Sequence, residues 1–199
     1  ARKVDLRLDQ TLPLLGLLQA DGARFVTRSV ANHLNDISKT DAQAVLDRLA
    51  AWEEDGPQDP KERAWMQRHA FRGLVKDVHP AALAMLGYDG AVPVDVSVVV
   101  DTPQVPLGAA LEFSVRVAAD VALPVLVDYR IRFARPGGRT GEKVFKLKVG
   151  AVRPGKPLVL RKVHKLKANA TTFELHKGTH GLVVQVNGVD RAEAVFEIV

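Results

Sequence analysis

The chain has 199 residues, 47% apolar and 26% charged, a globular balance long enough for one or two domains with at least one sizeable core. It contains no cysteine, which excludes a disulfide framework, a CxxC zinc site and a thiol nucleophile. The net charge of +5 is unevenly held: residues 1–90 carry 12 Lys+Arg against 13 Asp+Glu, whereas residues 91–199 carry 16 against 10.

At the start, Ala1-Arg2-Lys3 followed by leucines looks like a secretory leader. Asp5, Arg7 and Asp9 break its apolar region, however, and no small-x-small cleavage site follows. Leu12 to Leu18 is the longest nearly continuous apolar run, and its seven residues fall far short of the ~20 that cross a bilayer. The expectation is a cytoplasmic protein with no membrane association, and the absent initiator methionine suggests a piece of a longer chain.

Leu12 to Leu18 predicts a first helix, entered through Pro13. Phe25, Val26, Val30, Leu34 and Ile37 then recur at threes and fours, the period of one buried helical stripe. Thr40 and Gln43 fit a capping box ahead of a helix whose apolar face is Ala44, Val45, Leu46, Leu49 and Trp52. Asp59-Pro60-Lys61-Glu62 supplies a cap, an N1 proline and a first-turn acid for a helix carrying Trp65, Met66, Ala70, Leu74 and Val75 inward. His79-Pro80 opens a short helix, Ala81 to Leu86, closed by Gly87. Helices joined by such short connections lie antiparallel, in either a bundle or a HEAT-like solenoid, which spacing alone barely separates.

Beyond Gly87-Tyr88-Asp89-Gly90 the pattern becomes alternation. Strands are predicted at Val94 to Val100, Leu111 to Val117, Val125 to Phe133, Val144 to Val149, Leu158 to His164, Phe173 to His176, Leu182 to Val186 and Val195 to Val199. Pro136-Gly137-Gly138, Pro154-Gly155 and Asn187-Gly188 supply turns. About eight short strands without intervening helices argue for a sandwich of the immunoglobulin or fibronectin type. The expected fold is therefore α + β in separate domains: helical repeats over residues 1–90 and an immunoglobulin-like β-sandwich over residues 91–199.

Two features bear on chemistry. On the second helix, Arg28, Asn32, Asn35 and Asp36 collect opposite the apolar stripe. A solvated helix side is the commoner meaning of such a stripe, but two asparagines are unusual there because Asn competes with the helix backbone. Between Lys143 and Phe173 stand nine basic residues and no acid: Lys143, Lys146, Lys148, Arg153, Lys156, Arg161, Lys162, Lys165 and Lys167. Such a run is either a solvated face or the footprint of a polyanion. Lys146 and Lys148 alternate with Phe145 and Leu147, which predicts a lysine row on one strand face. Arg161 and Lys165, one alternation either side of Val163, are read likewise. The histidines are scattered, His176 and His180 straddle Gly178, and no HExxH, P-loop, GxGxxG or GxSxG pattern occurs, so neither a metal nor a cofactor is expected. Trp52 and Trp65 read as core rather than as a stacking platform.

The run from Arg28 to Lys39 (Arg28-Ser29-Val30-Ala31-Asn32-His33-Leu34-Asn35-Asp36-Ile37-Ser38-Lys39), with Trp52 closing the next helix, resembles the signature of AlkC-type DNA alkylation repair glycosylases. So do Arg68-His69-Ala70-Phe71-Arg72, His79-Pro80, Leu86-Gly87-Tyr88, Val127-Asp128-Tyr129, Lys143 to Lys148 and Val186-Asn187-Gly188. The resemblance implies HEAT-like repeats followed by an immunoglobulin-like domain, and removal of cationic N3-methylated bases (3-methyladenine, 3-methylcytosine) from double-stranded DNA by a monomer, without flipping the base. It also implies further repeats, with more carboxylates and aromatics, ahead of this chain, and hence weak activity or none for the chain alone. Asp36 is the expected catalytic carboxylate, with Arg28 on a phosphate, Asn32 and Asn35 positioning backbone or water, and Arg68 and Arg72 as further DNA contacts. The nine basic residues are expected to meet phosphate without sequence preference. Two other functions compete: a DNA-binding or scaffolding module without catalysis, and an adhesion sandwich, which the missing leader and the basic run disfavour.

Overall fold

A computed structural model describes residues 7–167 and 174–199, and the chain divides after Leu86 into two compact units. The first is helical: α1 (Leu8–Leu18), α2 (Arg24–Ile37), α3 (Ala42–Asp55), α4 (Pro60–Ala70), α5 (Arg72–Lys76) and α6 (Pro80–Met85). Its core gathers Val30, Ala31, Leu34 and Ile37 of α2 with Val45, Leu46, Leu49 and Trp52 of α3 and Met66, Ala70, Phe71 and Leu74. No helix among the described residues is long and apolar enough to cross a membrane.

Local signals decide most helix ends. Asp59 caps α4 by accepting from the N–H groups of Lys61 and Glu62, with Pro60 in the first turn, and Gly87 follows α6 at φ +81°. The expected Thr40–Gln43 box does not form. Asp41 caps α3 through the Ala44 N–H, Thr40 bonds back to the Ile37 carbonyl, and Gln43 turns to Asp47. Asp is as good an N-cap as Ser or Thr, and here it stands one residue nearer the helix. α1 begins a turn earlier than predicted, at Leu8, with Pro13 inside it. Phe25 is 72% exposed rather than on the buried stripe. Five residues separate it from Val30, a rotation of about 140°, which carries it off the core face. The single helix predicted through Val75 is broken: Phe71, buried and at φ −83°, ψ 2°, separates α4 from α5.

Among the described residues the second unit has eight strands: β1 (Asp95–Val100), β2 (Gln104–Val105), β3 (Ala110–Ala118), β4 (Leu123–Ala134), β5 (Thr140–Val152), β6 (Leu158–Lys165), β7 (Gly178–Val186) and β8 (Val189–Ile198). They form a three-stranded sheet, β1-β3-β6, and a five-stranded sheet, β2-β8-β7-β4-β5, which enclose a core including Leu111, Phe113, Val115, Val125, Tyr129, Ile131, Leu182, Val184 and Phe196. The Pro154-Gly155 turn carries the chain from one sheet to the other, so β5 and β6 are edge strands of different sheets. β2 pairs parallel to β8 over two residues, too short to show in the sequence. The strand predicted from Phe173 to His176 does not form: residues 174–176 are irregular, and Phe173 lies outside the described residues.

Asn187 fixes one end of this unit. It starts the two-residue β7–β8 turn at φ 51°, with Gly188 at φ 81°, the type I′ geometry that Asn-Gly favours. Its buried side chain accepts from Leu126 N–H at 2.8 Å and donates to the carbonyls of Asp89 (3.1 Å) and Pro124 (3.2 Å). Asn187→Ala removes all three bonds and strains the turn, and is expected to destabilise the β unit by about 3 kcal/mol in urea denaturation.

A polar helix face and a divided basic run

On α2 the exposed residues Arg28, Asn32 and Asp36 succeed one another by four and share one face. The α4–α5 break brings His69 and Arg72 to that face. His69 Nε2–H donates to Asn32 Oδ1 at 2.9 Å, and Arg72 Nη1 donates to the His69 carbonyl at 2.6 Å. Beneath them Asn35, 5% exposed, accepts from Gly73 N–H at 3.1 Å. That amide stands in the first turn of α5, where no preceding helical carbonyl serves it, so Asn35 supplies its missing acceptor. The two asparagines that sit oddly on an amphipathic helix thus have partners 37 and 38 residues away.

Asp36 is exposed and pairs with Lys39 at 2.6 Å. The Lys39 hydrogen bond outweighs the opposing effect of burial and, with the charges of Lys39, Arg72 and His33, holds its carboxyl below the usual carboxylate range. Burial pushes the His69 imidazole down, and the positive charges of Arg72 and Arg28 add to this. Trp65 is half-buried rather than core. It stacks on His69 with ring centroids 5.1 Å apart, and the Arg24 guanidinium carbon lies 4.0 Å from the indole ring centroid. Arg24 in turn pairs with Glu62, which also accepts from Thr27. Arg68 is exposed at the end of α4. Sequence reasoning placed His69 and Trp65 apart from the site; their spacing of four on one helix was the available signal.

The basic run is divided among several surfaces. A register shift between Val127 and Asp128 pairs Lys146 with Asp128 and Lys148 with Val127. Cross-strand partners share a face, so this bulge puts Lys146 on the outer face, beside Asp128, and turns Lys148 to the Val127 side. The expected lysine row is therefore broken. Lys146 lies 3.6 Å from Asp128, whose carboxyl is raised by burial and partly restored by Lys146. Around them Arg130 and Arg132 meet Glu142, Asp190 and Glu193, so this outer face is largely neutralised.

On the other sheet Arg161 and Lys165 are exposed, but Val163 shares their face at 56% exposure. Period two puts residues 161, 163 and 165 on one side. Lys143 and Lys162 are half-buried on the inner sides of β5 and β6, with Phe145 and His164 respectively. Lys148, Lys143 and Lys162 thus face the open edge of the sandwich. Arg153 and Lys156 flank the turn and line a groove of about 550 Å3 with Arg116, Asp95 and Asp120. Lys167 is exposed just past β6. Among the described residues no group of His, Asp and Glu is placed to hold a metal ion.

Residues 95–199 match a family profile described as the C-terminal Ig-like domain of the uncharacterised protein YhaZ. YhaZ of Bacillus subtilis (strain 168), itself uncharacterised, is 31% identical over 188 residues, which cover 94% of this chain and 51% of YhaZ. Among solved structures, the Pseudomonas fluorescens alkylpurine DNA glycosylase AlkC bound to DNA containing an abasic site analog is similar with a TM-score of 0.78 and 30% identity, over 94% of this chain and 52% of that one. The chain spans about half the length of these relatives.

The helix face separates structural from surface roles. Asn35→Ala leaves the Gly73 N–H without an acceptor and is expected to cost about 2 kcal/mol of stability in chemical denaturation. Asp36→Asn, at an exposed i, i+3 pair, is expected to change it by less than about 0.5 kcal/mol.

Proposed function

The chain belongs to the YhaZ family with its C-terminal Ig-like domain, and we propose that it is part of a DNA glycosylase that releases cationic N3-methylated bases from duplex DNA. Its helical unit is read as HEAT-like repeats and its β unit as a DNA clamp. The observation that carries the reading is the likeness to the AlkC glycosylase along 94% of the chain. It is supported by the helix face that carries an exposed carboxylate, Asp36, within reach of the Arg72 charge, with Arg28 two turns away on the same face.

The chemistry follows from the charge on the substrate. A base methylated at N3 is already a cation and leaves without a general acid. What the protein must supply is stabilisation of the oxocarbenium-like sugar and placement of a water. The Lys39 hydrogen bond favours the ionised form of Asp36, which suits it for both tasks. Arg28, Arg68 and Arg72 are cations for the phosphates flanking the lesion, and Asn32 orients the face.

In the full-length protein, Asp36→Asn is expected to abolish release of methylated base with unchanged melting. Wild-type release by that variant overturns the assignment. The competing reading, a DNA-binding module without catalysis, is favoured by the Asp36–Lys39 pair, which gives the carboxylate an ordinary surface partner. It predicts duplex binding with no abasic product from the variant or the parent.

Duplex binding by the β unit is assigned to the open edge, without sequence preference, because phosphate contacts carry no base information. A duplex set against one edge meets about three of the basic residues rather than the five or so that a single continuous row would offer. The salt slope is then about −2.7, a loss of roughly 40-fold between ~50 and ~200 mM salt, against about −4.5 for five contacts. Lys148→Glu combined with Lys162→Glu is expected to flatten this dependence in an anisotropy titration, and Lys146→Glu, at a residue already paired with Asp128, to leave it nearly unchanged. The reverse ranking moves the interface to the outer face.

A further inference from the structure

We propose that His69 is a positioning residue for the Asp36 face: its ring fixes Asn32 and its carbonyl seats Arg72. The proposal rests on the reading of Asp36 as the working carboxylate. His69 is held from three directions. Its Nε2–H donates to Asn32 of α2 at 2.9 Å, its ring lies against Trp65 with the planes 12° apart, and its main-chain oxygen accepts from Arg72 at 2.6 Å. The Arg24 guanidinium, which pairs with Glu62, also lies over the Trp65 ring, so a column of guanidinium–indole and indole–imidazole contacts runs between α2 and α4. At its Asp36 end this column fixes how far Arg72 stands from the carboxylate, because Arg72 begins α5, just after the helix break, and reaches back to the last turn of α4.

The arrangement needs the imidazole neutral. The charged groups acting on it are Arg28 from α2 and Arg72 from α5, both cations, while Glu62 lies at the far end of the column engaged with Arg24. A third positive charge beside Arg28 and Arg72 opposes both a cationic base and an oxocarbenium-like sugar. Burial and these two arginines hold the imidazole below its ordinary value of 6.5. As pH falls through this lowered pKa, Nδ1 takes a proton. The Asn32 bond survives, because Nε2–H still donates, but the face gains a charge and base release slows.

Two readouts test the proposal, one independent of catalysis. In an NMR titration of the imidazole nitrogens, His69 is expected to stay neutral as the Nε2–H tautomer at pH 6.5, and Asn32→Ala to mix the tautomers. A ring that titrates at the ordinary value with mixed tautomers in the parent overturns the proposal whatever DNA does. In single-turnover release of 3-methyladenine from duplex DNA by the full-length protein, His69→Phe keeps the stack and loses the donor. It is expected to lower the rate constant at least about tenfold, toward the ~100-fold that a misplacement of ~1 Å costs, with half-saturation and melting little changed. His69→Gln restores a donor to Asn32, recovers most of that loss, and no longer shows the acid-side decline. Equal losses in His69→Phe and His69→Gln, tracking their melting temperatures, mark a merely structural residue and overturn the proposal. Loss in His69→Phe together with full activity in Asp36→Asn instead removes the Asp36 reading on which the proposal stands.

Discussion

The helical unit turns on one backbone amide. Where α4 gives way to α5 at Phe71, the Gly73 N–H has no helical carbonyl to meet, and Asn35 of α2 accepts from it. A buried amide without an acceptor costs about as much as a whole hydrogen bond gains, so the break can exist only where α2 presents that oxygen. Glycine is fitted to the place: a Cβ at Gly73 would stand 3.1 Å from Asn35 Oδ1. Everything exposed above this bond, from the Asn32–His69 pair to Arg72, inherits its position from it.

In the β unit one extra residue has a comparable effect. Strict alternation along β5 would have put Lys146 and Lys148 side by side, but the bulge opposite Val127 and Asp128 separates them. One lysine joins the acids of the outer face and the other turns to the open edge. The charge that distinguishes residues 91–199 is therefore less a stripe than a set of separate small sites, each with its own screening. Tyr129 and His164, bonded at 2.8 Å in the core behind this edge, show the same economy of burial: the phenol is pushed up to about 12 and the imidazole down, so both stay neutral.

What could be read in the sequence follows the range of the interaction. The Asp59-Pro60 start, the Gly87 stop and the Asn187-Gly188 turn depend on neighbours within a few residues, and each appears where its residues predict. The change from helical spacing to alternation is equally local, and it separates the helices from the strands. The cap on α3 was displaced by one residue because Thr40 and Asp41 are both capable, and only geometry chooses between them. The break at Phe71, the Asn35–Gly73 bond and the bulge in β5 depend on contacts tens of residues apart or on register, which no window of sequence contains. Of the site, the α2 face was legible as a pattern, and the resemblance singled out Asp36 within it. The partners that explain its asparagines were not, because His69 and Gly73 lie on other helices.

The inward-facing lysines also have a meaning for solubility. β5 is a thirteen-residue edge strand, and its unpaired row of N–H and C=O groups is a template on which a second chain could add a strand. Lys143 and Lys148 on its inner side, Lys162 on the inner side of the facing edge, and the bulge between residues 146 and 148 are the features that stop such edges from joining. These charges therefore keep copies of the domain apart, and a chain that lost them would be exposed to strand-by-strand association.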